Sequence, residues 1–395
     1  MPVTIRTTIS ALVVGALLVG TAAATTAQQR DDVRVRVDTL EDGRIVISNP
    51  DLPQAGPEGV PTLVEVLRIG STDGTCDAFG QVYSLAVDGD GRIYVADRPA
   101  NEIRVFTPEG DCLRSFGRSG EGPGEFGWLV GIAWQPPGYL WAIDGLRSRA
   151  TVFDPVGTVL ATHRLQLGQV ASVPWPLRVD TGGGLHIWLP GSGPGPGTIV
   201  EYGTGPELDS LASVPQPAIP ADPRMRYTGE IGEGDNRMAM EFVIPYAPRV
   251  QWTVNPAGNI WQARTSAFAI HETTRAGDTL RTIQLHREAP RLEGRERDSI
   301  AADAGIAAHR LPERKHAIET IGTGPDGWVW VDTERVATVG WDVFDERGYY
   351  VGRVVPPVPI EKWPFPVFGA GTVTAVTLGE LDVPYVVQLR VVRGG

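Results

Sequence analysis

The chain has 395 residues, a formal charge of −12, 48 glycines, 33 prolines, 11 tryptophans and two cysteines, with 42% apolar residues. That composition can build a large core, and the abundance of Gly and Pro fits turn-rich β structure. The acidity argues against a nucleic-acid partner, because binding phosphate needs a basic surface.

The chain opens MPVTIRTTISALVVGALLVGTAAATTAQQ, with one basic residue (Arg6), an apolar run centred on Ala11 to Gly20 and small residues ending at Ala27. This is the three-part pattern of an export signal, with a run too short to cross a membrane comfortably. An uncleaved anchor is the alternative. The first cysteine is Cys76, so no lipid-attachment cysteine follows the run. No other apolar run is long enough to span a bilayer. The expected layout is a signal peptide over 1–27, an N-terminal extension over 28–61 and one folded unit over 62–395, located in the periplasm or outside the cell.

The extension contains GRIVISNP at 43–50, which resembles a strand. TLVEVLRIG at 62–70 is a strand with no partner nearby. Two long units then repeat at an offset of 47 residues without a gap. The offset pairs Gly70 with Gly117, Phe79 with Phe126, Asp97 with Asp144, Phe106 with Phe153 and Gly110 with Gly157. Each unit holds four short runs of β-branched and aromatic residues separated by turn clusters such as Asp88-Gly-Asp-Gly91 and Pro108-Glu-Gly110. Four antiparallel strands per unit of this length are the mark of a propeller blade.

Between the two units lies FGRSGEGPGEFGW (116–128), in which Gly122, Gly124 and Gly127 spell the GxGxxG of a dinucleotide loop. Such a loop must run from a strand directly into a helix whose N-terminus meets the phosphates. This one runs into Trp128-Leu-Val-Gly-Ile-Ala, an inner strand, and Pro123 removes an N–H donor. The parts that repeat are Gly117 and Phe126-Gly127, so the stretch marks the crossing between blades.

The turn-then-strand signal recurs at DTGGGLHIW (180–188), NPAGNIWQA (255–263) and GPDGWVWVD (324–332), each followed by further strands. The irregular segment 287–315 interrupts the series, and a short helical insertion is expected at about 293–310. Asp298 or Ser299 would cap it, Ile300, Ala304 and Ala307 would share a face, and Gly305 weakens it. Residues 365–391 supply three more strands and lack a fourth, which TLVEVLRIG provides. The expected fold is therefore all-β: a six-bladed β-propeller of four-stranded antiparallel blades, closed by N- and C-terminal strands in one blade. A seventh, degenerate blade around 43–50 is the alternative.

The chain resembles the NHL-type six-bladed β-propellers, in particular exported bacterial ones whose blades read close to IAVDxDGxIYVADxxNxRIQVF followed by FGRxGxGPGEF. Residues 85–97, Asn101, Val105-Phe106 and Phe116 to Phe126 carry the likeness. It is sharp in the first two blades. The third and fourth have lost the Asp after the second strand, with Pro190 and Arg264 near that point.

The two cysteines read as free or buried thiols. Cys76 falls in an interblade loop and Cys112 follows the turn before an outer strand, and those ends of a blade lie a strand's length apart, roughly 17 Å for a typical strand, beyond disulfide reach.

Asp88-Gly-Asp90-Gly-Arg92 opens like a calcium loop, but Arg92 stands where an oxygen ligand belongs, and a hairpin turn explains it. The six histidines show no zinc spacing. His186 occupies the second-strand slot that holds Tyr94, Trp141, Trp261 and Trp330 elsewhere, and so reads as a packing residue. No GxSxG elbow is present, and no catalytic residue is assigned. Asp97 and Asp144, with Arg98 and Asn101 or Arg147 and Ser148 nearby, lie where the loop after the second strand can bind a polar ligand or a cation. Their simpler role is to cap loop N–H groups or pair with arginine. Tyr83, Trp128, Trp175, Tyr246, His316 and Trp363 precede or begin inner strands, where they can form an aromatic channel mouth or simply pack between blades.

The expected function is a non-catalytic propeller that binds a protein, peptide or glycan on its interblade-loop face. The expected ligand contacts are Asp97, Arg98, Asn101, Trp128, Asp144, Arg147 and Trp175, with no cofactor and no metal. The rival is a metal-assisted lyase or lactonase with a divalent cation in the central channel. That rival needs at least three Asp, Glu, Asn or His side chains converging on the axis, and the expected inner strands supply only Glu319.

Overall fold

A computed structural model of the chain describes residues 34–53, 59–74, 76–167, 175–191, 197–217, 225–231, 238–333 and 340–393. The signal peptide expected over 1–27 lies outside the described residues. Among the described residues, no helix is long and apolar enough to cross a membrane.

The chain begins with a hairpin, β1 (Arg36–Thr39) and β2 (Ile45–Asn49), followed by the lone strand β3 (Thr62–Ile69). Blade one is β4 (Val82–Val87), β5 (Ile93–Asp97), β6 (Glu102–Phe106) and β7 (Cys112–Phe116). Blade two is β8 (Leu129–Gln135), β9 (Tyr139–Asp144), β10 (Arg149–Phe153) and β11 (Val159–Arg164), and blade three is β12 (Leu177–Val179), β13 (Leu185–Leu189), β14 (Thr198–Tyr202) and β15 (Ser210–Pro215). A separate hairpin, β16 (Arg226–Ile231) and β17 (Met238–Val243), precedes blade four: β18 (Val250–Val254), β19 (Ile260–Arg264), β20 (Ala269–Thr273) and β21 (Thr279–Leu285). Helix α1 (Gly294–Asp303) leads to blade five, β22 (Thr320–Thr323), β23 (Val329–Asp332), β24 (Trp341–Phe344) and β25 (Tyr350–Val354). Blade six is β26 (Val367–Phe368), β27 (Thr372–Leu378) and β28 (Pro384–Val392), completed by β3. The protein is a six-bladed β-propeller.

Closure follows the expected pattern. β3 pairs antiparallel with β28, Leu63 opposite Val391 and Ile69 opposite Val386, so the two ends of the chain share one blade. The strand at 43–50 does not found a seventh blade. β2 instead pairs parallel with β21, and the hairpin extends blade four to six strands. Buried Asn49 fixes it there: its amide donates to Gln284 O (3.1 Å) and Gly348 O (3.0 Å), and its oxygen accepts Tyr350 N–H (2.9 Å).

A polar tether holds the first hairpin in each of three blades. The Tyr94 hydroxyl donates to Asp88 Oδ2 (3.1 Å), Trp141 Nε1–H to Gln135 Oε1 (2.9 Å), and His186 Nε2 meets Asp180 Oδ2 at 3.1 Å. The partners are six residues apart each time, so in blades one to three the recurring slot is a core position with a polar tip bonded to a residue at or just before the hairpin turn; in blade four Trp261 fills the slot without such a bond. Asp88 itself accepts the N–H groups of Asp90 and Arg92 (2.9 Å each) and pairs with Arg92 Nε (2.6 Å), which makes Asp88–Arg92 a hairpin turn. Between blades, aromatic rings interlock: Tyr94 stacks on Trp134 with centroids 5.3 Å apart, and Trp330 on Phe368 at 5.2 Å.

The helical insertion exists but starts earlier than the capping residues suggested. Its N-cap is Glu293, without a side-chain cap, so Asp298 and Ser299 lie inside the helix. Arg297 explains the placement, because its guanidinium donates to Leu292 O, Ala308 O and Pro312 O at 3.0 Å each and also to Leu311 O, knitting both flanks of α1 together. Gly305, at φ +65°, ends the helix in the left-handed conformation that glycine adopts cheaply. The insertion packs Ala301, Leu292 and Leu311 against Ile244 and Ala247, at the end of the β16–β17 hairpin.

Cys76 and Cys112 form a disulfide, contrary to the expectation of two thiols. The strand-length separation fails because blades twist. The turn before β7 lies against the end of β3: a Cβ at Gly110 would sit 2.9 Å from Leu67 Cδ1. The interblade loop therefore starts beside Cys112, and Arg104 holds its Cys76 and Ala78 carbonyls (2.9 and 2.6 Å), bringing the cysteine Cα atoms to 6.3 Å. The bond spans 36 residues, so its reduction is expected to cost about 3–4 kcal/mol. Chemical unfolding with and without reductant checks this, and coincident curves would show that the crosslink contributes nothing.

Candidate functional site

Asp97 and Asp144 end the second strands of blades one and two, and both are buried. Asp97 accepts the N–H groups of Gly80 and Gln81 (3.1 Å each), and Asp144 those of Gly127 and Trp128 (3.1 Å each). Each carboxylate thus holds the incoming interblade loop at the same point of its blade. The arginine partner of Asp97 is Arg104 (3.0 Å) and not its neighbour Arg98, while Asp144 is flanked by Arg147 (3.4 Å) and Arg149 (3.5 Å). Arg147 also reaches Glu121 at 3.5 Å. Asn101, at φ +53°, is a junction post: its oxygen accepts Leu129 N–H (3.0 Å), and its amide donates to Ser119 Oγ (3.0 Å) and Gly127 O (3.3 Å). Its conformation is one that Asn tolerates better than most residues.

The stretch 116–128 folds as a blade crossing and runs straight into β8. Glu125 accepts Gly122 N–H (2.8 Å) and pairs with Arg118 (2.6 Å), and Arg149 gathers the carbonyls of Glu121, Gly122 and Glu125. Glu125 thus takes the Gly122 N–H that a phosphate would need.

The aromatic residues separate into two groups. Tyr83 and Trp175 line an axial cavity of about 230 Å³ bounded by inner strands of the ring, together with Trp134, Arg178, Phe365 and Phe368. Arg98 extends this wall outward: it donates to the Tyr83 hydroxyl (2.7 Å), and its guanidinium lies 4.5 Å from the Tyr83 ring and 5.5 Å from the ring of exposed Trp128. Exposed Trp363 packs on Phe365 with centroids 4.1 Å apart. Trp175 and Phe365 precede inner strands and Tyr83 is the second residue of β4, so these three lie toward the interblade-loop end of the cavity. Tyr246 and His316 pack instead on each other, at 5.4 Å, beside the insertion.

The described wall of the cavity contains no Asp, Glu, His or Cys side chain. Glu319 turns away to His316 Nδ1 (2.7 Å) and Arg249 (2.7 Å). Burial works to raise its carboxyl pKa, but the His316 hydrogen bond and the nearby cations hold it below the ordinary glutamate value. Elsewhere, Asp180, His186 and Glu201 place ligand atoms within 4.8 Å of one another in the core of blade three. There the Arg275 guanidinium supplies the balancing charge, 2.6 Å from Glu201 and 3.6 Å from Asp180, and ties blade four to blade three.

No family model matches the chain, and no curated protein sequence matches it. Among solved structures, a candidate exported protein of Bacteroides fragilis is 11% identical, covers 88% of this chain and 100% of its own length, and superposes with a TM-score of 0.51. A virginiamycin B lyase from Staphylococcus aureus is 12% identical over 84% of this chain and all of its own, at 0.45. A duf4221 family member from Bacteroides vulgatus is 10% identical over 85% of this chain and 99% of its own, at 0.47. The likeness is one of fold. Propellers carry unrelated functions on one scaffold, so the cavity and its rim must speak for themselves.

Of the wall residues named, Trp134, Arg178, Phe365 and Phe368 have no role in the sequence-based expectation. Arg178 had a legible signal, being a lone charge inside the inner strand Leu177-Arg-Val179. A search for converging acids passes over it.

Proposed function

We propose that this protein is a non-catalytic binding propeller of the NHL type that works in the periplasm or outside the cell. Its ligand, a peptide, glycan or protein segment, enters the axial cavity from the interblade-loop face. The single observation that carries this reading is the character of the cavity: the rings of Tyr83, Trp175 and Phe365 stand beside the polar groups of Ser84, Arg178, Thr253, Thr320 and Thr323, with Arg98 and Trp128 next to Tyr83 at the rim. A wall that mixes aromatic faces with hydroxyl and guanidinium groups suits a ligand that has both an apolar face and hydrogen-bonding groups. The disulfide supports an oxidising compartment, as does the export-like start of the chain. Asp97, Asn101, Asp144 and Arg147 serve the site by fixing the loops that carry its rim, and no cofactor is needed.

Peptide and glycan arrays probed with the purified protein test this, followed by affinity measurements on Trp175→Ala. Trp175 packs on Trp188 at 5.4 Å and presents its remaining surface to the cavity. Loss of its ring is expected to weaken a hit by at least about tenfold. A hit indifferent to Trp175→Ala, turnover of the bound ligand, or a stoichiometric divalent ion bound in the channel would contradict the reading.

A further inference from the structure

Arg178 is the middle residue of β12, and its side chain lines the axial cavity. A guanidinium carries five N–H donors. One nitrogen, NH1, donates to Leu177 O (2.9 Å), and the group lies over the Phe365 ring at 5.2 Å. Among the described residues no other acceptor reaches it, and no carboxylate pairs with it. Part of its surface borders the cavity and the rest is packed in protein. Burial, with no anion to offset it, pushes its pKa down to about 10, which leaves it charged at neutral pH. Buried charges are ordinarily paired, and an unpaired one costs stability. Other part-buried arginines of this chain have fuller partners: Arg104 pairs with Asp97, Arg287 with Asp342 and Arg281 with Glu272, and Arg297 donates to four carbonyls. Arg178 has one carbonyl and, among the described residues, no counter-charge, and it borders the axial cavity.

We propose that Arg178 is the anion-recognition group of the axial cavity and that the ligand enters carboxylate first, with an apolar or aromatic body behind it. The inference rests on the reading of the cavity as the binding site. The planar fork of arginine matches a carboxylate through two parallel hydrogen bonds, and the Phe365 ring holds the plane of the fork. The aromatic residues at the mouth, Tyr83 and Trp175, then face the ligand body. The volume, about 230 Å³, lies below the 300–1,000 Å³ of drug-sized pockets. It suits one side-chain-sized group with its carboxylate. Such a group comes either as a free small acid or as the C-terminal residue of a peptide.

The test uses the full chain and two matched pairs of probes: phenylacetate against phenylacetamide, and N-acetyl-Gly-Gly-Phe with a free against an amidated C-terminus. Calorimetric titration is expected to show each acid binding at least about tenfold more tightly than its neutral partner, and Arg178→Met is expected to abolish that difference. The stronger of the two acids identifies the source of the carboxylate. Arg178→Met is also expected to raise the unfolding temperature, because it removes an unpaired cation while keeping the volume. Equal affinity for acid and amide in the wild-type protein would overturn the assignment without removing the cavity as a binding site. No binding of any of the four probes at millimolar concentration would also overturn it. The response of an array hit to Trp175→Ala decides the cavity reading separately.

Discussion

Replacing Asp342 by alanine is expected to lower the free energy of unfolding by about 3–5 kcal/mol, more than any other single polar substitution considered. Its carboxylate is fully buried and accepts hydrogen bonds from Thr333 Oγ1, Tyr350 OH and Arg287 NH1, at 2.6 Å each. Arg287 also pairs with Asp51 of the N-terminal extension. One buried acid therefore binds blade five, the end of blade four and the extension together. Removing it leaves the Arg287 guanidinium with the part-exposed Asp51 as its remaining carboxylate partner and two hydroxyls without acceptors. Burial works against ionisation of Asp342, yet Arg287, Thr333 and Tyr350 hold its pKa below the ordinary aspartate value of 3.8. A depressed carboxyl contributes stability that is fully present above the unfolded-state value, 3.8, and is lost as pH falls through the lower folded-state value. The wild-type protein should lose this share below that pH, and Asp342→Ala should show a shallower acid limb. Denaturant unfolding at pH 7 and at pH 3 measures both. Equal stability of the two proteins at pH 7 would show that the network is dispensable.

Deleting β3 is expected to open the ring. The strand buries Leu63 and Ile69, each contributing about 1.5–3 kcal/mol as a buried aliphatic side chain. It also covers the long edge of β28 from Val386 to Val392. Without it, β28 presents unpaired N–H and C=O groups and an apolar face, the template for edge-to-edge association. A chain lacking residues 62–70 should therefore elute as oligomers or aggregate and lose its cooperative thermal transition. A monomeric variant that melts where the full chain melts would show that the ring does not depend on closure by the N-terminal strand.

How much of this was legible in the sequence depends on whether a feature repeats. The 47-residue offset made blades one and two readable residue by residue, and it identified β3 as an outer strand in search of a blade. The roles of Asp97 and Asp144 as holders of loop N–H groups followed from their recurrence. Features that depend on blade twist were not legible. A flat blade separates Cys76 from Cys112, and only the twist that lays Gly110 against Leu67 brings them together. The parallel addition of β2 to β21 was equally hidden, because a parallel strand needs no turn signal near its partner. Half of the rim was visible as Tyr83, Trp128, Trp175 and Trp363. Arg178 was missed because a charge is normally discounted in a strand, and only the ring geometry shows that this one faces the axis.

The axial cavity, entered from the interblade-loop face, is the ligand site proposed for this protein. A crystal structure of the protein with phenylacetate or the best array hit tests it most directly. The expected result is ligand density between Trp175, Phe365 and Arg178 with a carboxylate at the guanidinium. Ligand bound only on the outer strands, or on the opposite face with the cavity unchanged, would contradict it.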